Sequence, residues 1–216
     1  MLASYLDSTN LKSDSSRQDI VELCTEAEFY EMASVCVLAH RVSLASNLLK
    51  DTGVKTCTVI GFPLGADNIV TKVFATEQAL KDGAEEIDMV INIGAVKDGD
   101  YNLVEKELQS VLELNKTYEF VLKVIVETAL LTEKELINLI KLISRMECDY
   151  IKTSTGFATR GVSVKDIEII NQHKSEALKV KASGGIKGLD FALELINLGV
   201  DRIGTSSAKN IIEGMS

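Results

Sequence analysis

The chain has 216 residues and a formal net charge of −9, with 46% hydrophobic and 25% charged residues. That length suits a single domain with a large core, and the acidic balance argues against nucleic acid as a partner. No apolar run reaches the roughly 18 residues of a membrane-crossing helix, and residues 1–10 lack a basic segment followed by an apolar one, so neither a membrane span nor a secretory signal is expected.

Short β-branched runs alternate with longer amphipathic ones. Strands are predicted at 2–6, 34–38, 55–61, 86–91, 121–127, 150–153, 179–182 and 202–204. Between them, apolar residues at three-to-four spacing predict helices at 15–28, 41–51, 68–82, 103–115, 132–146, 163–173 and 189–198, with a short one at 208–213. Thr132 begins T-E-K-E, a capping box. Gly53, Gly83 and Gly199 follow helices where a left-handed cap is wanted. Pro63 is the only proline, and no low-complexity linker divides the chain.

Eight strands over 216 residues leave 27 per unit, about the minimum for a βα pair. Such alternation implies a parallel sheet. A single-domain α/β chain, residues 1–216 as one (β/α)8 TIM barrel, fits the count; periodicity alone leaves an open doubly wound sheet as the alternative. Cys24, Cys36, Cys57 and Cys148 are dispersed without a CxxC pair and read as reduced core thiols of a cytoplasmic protein. His40 and His173 lack metal-ligand spacing and read as surface or rim residues, so no metal is expected.

In a barrel the chemistry sits at the C-terminal ends of the strands. Polar pairs two or four residues apart fall there: Asp7 with Thr9, Asp88 with Asn92, Lys123 with Glu127, Lys152 with Ser154, and Lys181 with Ser183. Members of each pair face the same way, and Ile87, Met89, Ile151 and Val180 then face the helices. Lys123 and Glu127 read either as a site pair or as a structural ion pair, with each other or with other interior charges. Lys152 and Lys181 occupy equivalent positions on consecutive strands. Two ammonium groups about 6 Å apart repel by roughly 3 kcal/mol at an effective dielectric near 20. One of the two could thereby stay partly neutral, which is one route to a nucleophilic lysine, and Asp88 could move protons. Gly184 and Gly185 after the seventh strand, and Gly204, Ser206 and Ser207 after the eighth, form a candidate phosphate site to which Gly156 could add an amide.

The segments EIDMVINIGAVKDGDY at 86–101, LKVIVETALLT at 122–132, YIKTSTGF at 150–157, VKASGGI at 180–186 and GVDRIGTSS at 199–207 resemble deoxyribose-phosphate aldolase, as do TVIGFPLGA at 58–66 and LDSTNLKSD at 6–14. The resemblance implies a metal-free class I aldolase without a cofactor, cleaving 2-deoxy-D-ribose 5-phosphate to acetaldehyde and D-glyceraldehyde 3-phosphate. It implies Lys152 as the Schiff-base lysine, Lys181 as the second lysine, Asp88 as the acid–base carboxylate and Asp7 as a further pocket aspartate. It also implies phosphate contacts at Gly156, Gly184, Gly185, Ser206 and Ser207, and a homodimer or higher homo-oligomer. A related Schiff-base aldolase for another phosphorylated sugar, and a non-catalytic sugar-phosphate-binding barrel, are the alternatives. The chain departs from the common family pattern at Ser8, Ser13, Leu38, Ala39, His40, Arg160 and Ala208, which alters the pocket rim. Cys36 falls on the usual strand-two cysteine and reads as packing.

Overall fold

The structure is a computed structural model that describes residues 2–214; Met1 and the last two residues of the expected 1–216 domain lie outside them. Eight parallel strands close into a barrel in chain order. They are β1 (Leu6–Asn10), β2 (Ser34–Val37), β3 (Lys55–Ile60), β4 (Glu86–Val90), β5 (Val121–Ile125), β6 (Tyr150–Lys152), β7 (Lys179–Ser183) and β8 (Arg202–Thr205). The helices are α1 (Arg17–Phe29), α2 (Val42–Leu49), α3 (Ile69–Lys81), α4 (Ile93–Lys97), α5 (Tyr101–Leu112), α6 (Glu133–Arg145), α7 (Val164–His173), α8 (Leu189–Asn197) and α9 (Ala208–Ile212). The doubly wound alternative is excluded, because β1 hydrogen-bonds β8 through Leu6↔Ile203, Asp7↔Gly204 and Ser8↔Thr205.

The first strand is a correction. The apolar residues 2–6 were expected to form it, but Ala3–Tyr5 make a 3-10 turn and the strand is the polar LDSTN. A strand whose inward positions are Asp7 and Thr9 carries no hydrophobic period to detect. Short α4 was not expected at all; Asn92 starts it by accepting the Ala95 amide at 3.0 Å. Thr132 forms the expected capping box with Glu135, and Ser16 and Ser163 do the same with Asp19 and Asp166. Gly83 and Gly199 take left-handed angles of +100° and +89°, whereas Gly53 does not, so its expected cap is absent.

Two apolar regions result. Ile87, Met89, Ile151 and Val180 belong to the large core between strands and helices, as alternation predicts. Among the described residues, Cys36, Cys57 and Val59 form an apolar cluster inside the barrel. Much of the interior is polar. Alternation combined with the observed register stacks it in layers of four. Ser34, Glu86, Tyr150 and Arg202 come from the even strands, Asp7, Cys57, Lys123 and Lys181 from the odd ones, then Cys36, Asp88, Lys152 and Gly204.

Outside the barrel, Lys72 of α3 is buried and donates to Glu107 of α5 at 2.5 Å and to the carbonyls of Gly65 and Val90 at 2.9 and 2.7 Å. Glu107 also accepts the Asn92 amide at 3.0 Å. This pair fastens the loops after β3 and β4 to α3 and α5. Removing one partner strands a buried ammonium, so Glu107→Ala is expected to cost about 3–5 kcal/mol, read as a lower denaturant midpoint. A loss below about 1 kcal/mol would show that the pair does not hold these loops.

Candidate active site

Asp88 lies at the centre of the interior and is fully buried. Its Oδ2 accepts from Lys152 at 2.6 Å and from Lys181 at 2.7 Å. Its Oδ1 accepts from Lys123 at 3.0 Å and from the Cys57 thiol at 3.2 Å. Lys181 also meets Asp7 at 2.5 Å. Lys123 donates to Glu86 at 2.6 Å, and Arg202 bridges Glu86, at 2.9 Å, to Asp7. Three carboxylates therefore meet four cations in one network.

The sequence expectations fare differently residue by residue. Lys152 and Lys181 are register partners on β6 and β7, side by side as expected. They are not a bare like-charge pair, however: one oxygen of Asp88 sits between them and offsets their repulsion. Lys123 and Glu127 do not pair with each other. Four residues of strand span roughly 13 Å, so Glu127 lies beyond the end of β5, where it takes a left-handed conformation. There it accepts the Thr155 amide at 3.1 Å and the Thr155 hydroxyl, holding the loop after β6. Asn92 likewise caps α4 instead of facing the interior. Thr9 is at the mouth, its hydroxyl on the Asp7 carbonyl at 3.0 Å.

Burial works against every charge here, and the network overcomes it. Burial by itself would raise Asp88, but Lys123, Lys152 and Lys181 hold it well below the usual carboxylate range. Asp7 is lowered in the same way by Lys181, Lys123 and Arg202. Burial would lower Lys181 and Lys123, yet Asp7 and Asp88 raise the first, and Asp88, with Cys57 and Glu86, raises the second. Cys36 is lowered by the thiol of Cys57, while burial pushes Cys57 up.

The loops after β6, β7 and β8 surround the mouth. Gly156, Gly184 and Gly185 all have positive φ, between +78° and +87°. A Cβ on Gly161 would lie 1.9 Å from the Gly184 carbonyl oxygen, so the sixth and seventh loops touch backbone to backbone. Ser207 precedes α9, and Ser206 is exposed beside it. Gly204 is a correction: it lies within β8 and not in the following loop. A Cβ there would sit 3.0 Å from Lys181 Cε, so its role is to leave room for that lysine. Among the departures, Arg160 grips Asp166 at 2.6 and 3.0 Å and the Gly161 carbonyl at 2.8 Å. Leu38 packs half-buried over the inner cluster, and Ala39 and His40 are exposed. Ser8 faces away from the interior, being next to inward Asp7, and Ser13 is exposed.

Sequence reasoning missed Glu86, Arg202 and Cys57. Glu86 and Arg202 stand two residues before Asp88 and Gly204, so the alternation rule, run toward the strand starts as well as the ends, finds both. Cys57 has no such polar signal.

A closed βα barrel with buried lysines and a carboxylate converging beneath its C-terminal mouth is the architecture of an enzyme that uses amine chemistry. The DeoC/LacD family aldolase model matches residues 1–213, and the chain belongs to that family. It is 48% identical to deoxyribose-phosphate aldolase 1 of Oceanobacillus iheyensis over 99% of this chain and 96% of that one. It is 46% identical to the deoxyribose-phosphate aldolase of Thermococcus gammatolerans over 99% and 96%. Among solved structures, a deoxyribose phosphate aldolase from Aeropyrum pernix, described as tetrameric, superposes with a TM-score of 0.91 at 34% identity, covering 98% of this chain and 89% of that one.

Two outcomes test the site's construction. Asp7 and Asp88 are depressed below 3.8 and Lys123 and Lys181 raised above 10.5. Their stabilisation is therefore complete between about pH 4 and pH 10, is lost as acid protonates the carboxylates, and is lost as base titrates the lysines. The stability difference between wild type and Asp7→Asn should stay flat through neutral pH and shrink below pH 3.8; a difference that widens there would contradict the network. Gly161→Ala should cost about 1–3 kcal/mol by pushing the two loops apart, and unchanged urea unfolding would contradict the close approach.

Proposed function

We propose that this chain is a class I aldolase that cleaves 2-deoxy-D-ribose 5-phosphate to D-glyceraldehyde 3-phosphate and acetaldehyde through a Schiff base on Lys152. The observation that carries this reading is the exposure of the lysines on Asp88. Lys123 and Lys181 are wholly buried, while Lys152 alone of the three keeps some exposure, at 4%. Lys181, held by two carboxylates, is the cationic partner that passes protons on; Lys152 is the amine that meets the carbonyl.

Lys152 as free amine attacks the aldehyde carbon of the open-chain sugar. Asp88 and Lys181 relay protons so that the carbinolamine oxygen leaves as water and a protonated imine forms. The cationic imine takes up the electron pair of the C2–C3 bond as that bond breaks, and the C3 hydroxyl loses its proton. Glyceraldehyde 3-phosphate departs and an enamine remains. Protonation of its carbon and hydrolysis release acetaldehyde and restore Lys152. The imine is itself the electron sink, so the sequence of steps calls on no cofactor and no metal.

The phosphate is assigned to amides of the loops around Gly156, Gly184, Gly185, Ser206 and Ser207, with Lys187 on the same seventh loop. Left-handed glycines turn successive N–H groups toward one point, which suits an anion, and phosphate binding there orients the reacting carbons. Thr9 stands beside the eighth loop, because β1 pairs β8, with buried Asp7 beneath it. We place the enzyme in the cytoplasm, in keeping with its four free cysteines. We assign it a homo-oligomeric state with a dimer as the smallest unit, in keeping with the tetrameric relative and with exposed Leu64, Val70 and Phe74 on one flank.

The test is reductive trapping. Borohydride with deoxyribose 5-phosphate should leave one adduct per chain, on Lys152, and Lys152→Met should show neither adduct nor turnover. Asp88→Asn should lower stability, since it leaves buried ammonium groups underpaired, and the folded fraction should lose about 10²–10⁴-fold in kcat. An adduct on another lysine, or equal cleavage of several unrelated sugar phosphates, would overturn the assignment.

A further inference from the structure

The two oxygens of Asp88 face different neighbours. Oδ2 takes Lys152 and Lys181, and the function proposed above uses that face. Oδ1 meets the Cys57 thiol at 3.2 Å and Lys123 at 3.0 Å. Cys36 completes this second face: it is the register partner of Cys57 across β2 and β3. One ligand atom from each of Cys36, Cys57 and Asp88 lies within 4.8 Å of the other two. All three residues are fully buried, and neither thiol has a part in the proposed reaction.

We infer that Cys36, Cys57 and Asp88 form a binding site for a thiophilic divalent cation of the zinc and cadmium class, set on the back of the active-site carboxylate. Spacing, ligand type and charge each support it. Tetrahedral zinc, with Zn–S near 2.3 Å and Zn–O near 2.0 Å, holds its ligand atoms about 3.5–3.8 Å apart. The Cys57–Asp88 separation of 3.2 Å is within a few tenths of an ångström of that spacing. Paired thiolates are soft ligands and select such ions over magnesium or calcium. Binding releases one proton from each thiol and brings in two positive charges. The balance of three carboxylates against four ammonium and guanidinium groups is therefore unchanged. Lys123 gives up Oδ1 and stays paired with Glu86, 2.6 Å away.

A cation on Oδ1 draws electron density from the carboxylate that serves Lys152 and Lys181, and so it inhibits. That consequence rests on the proposed aldolase mechanism; the binding does not. Cadmium chloride titrated into the wild-type protein should raise an ultraviolet thiolate-to-cadmium charge-transfer band that saturates at one ion per chain. Aldolase turnover should fall in parallel. Cys36→Ser and Cys57→Ser should each lose the band, while Cys24→Ser/Cys148→Ser, altered far from Asp88, should keep it. Absorption spectroscopy at the zinc edge of the wild-type complex, which needs no variant to fold, should show two sulfur ligands and lighter ones. Absence of the band, its survival in Cys36→Ser/Cys57→Ser, or a first shell without sulfur would overturn the site. A band that forms while turnover persists would leave the ion bound but overturn its inhibitory action.

Discussion

A carboxylate with no access to water holds the centre of this barrel. Asp88 can exist there as an anion only because three ammonium groups converge on it, and each of them in turn can exist there only because of Asp88 and its fellow carboxylates. Burying any one of these charges alone would be very costly; burying them together, with hydrogen bonds on both oxygens, is tolerated. Glu86, Arg202 and Asp7 continue the same logic outward. The interior is therefore closer to a small ionic lattice than to the branched-aliphatic filling common in such barrels.

That lattice decides what each lysine can do. Lys123 lies between Glu86 and Asp88, and Lys181 between Asp7 and Asp88; both are pinned and held cationic. Lys152 has Asp88 as its carboxylate partner and keeps slight exposure. The three lysines, on neighbouring strands, therefore differ in partners and in exposure. Outside the barrel the same economy recurs in Lys72 and Glu107, which tie the loops after β3 and β4 to the helices behind them.

The rim is built on backbone geometry. Loops six and seven approach so closely at Gly161 and Gly184 that no side chain fits between them. Arg160 ties Asp166 at the start of α7 to the carbonyl of Gly161. It anchors the sixth loop to the start of α7.

Much of this was legible in the residue order. Alternating strands and helices at barrel spacing, and polar residues at strand ends, depend on local periodicity, which a single chain displays. The motifs around Lys152 and Lys181 and the family they resemble could be read directly. Elements without a periodic signal could not: β1 is polar because its inward face belongs to the ion network, and α4 is one short turn beginning at an asparagine. Pairings were equally hidden. Lys123 looked as suited to Glu127 as to any other interior charge, and Lys152 and Lys181 looked like a bare repelling pair. Sequence by itself determined the architecture, the three inward lysines and the carboxylate Asp88. Tertiary structure alone decided which charges touch, because barrel closure brings Asp7 beside β8 and Cys57 beside Asp88, across separations in the chain that no local pattern encodes.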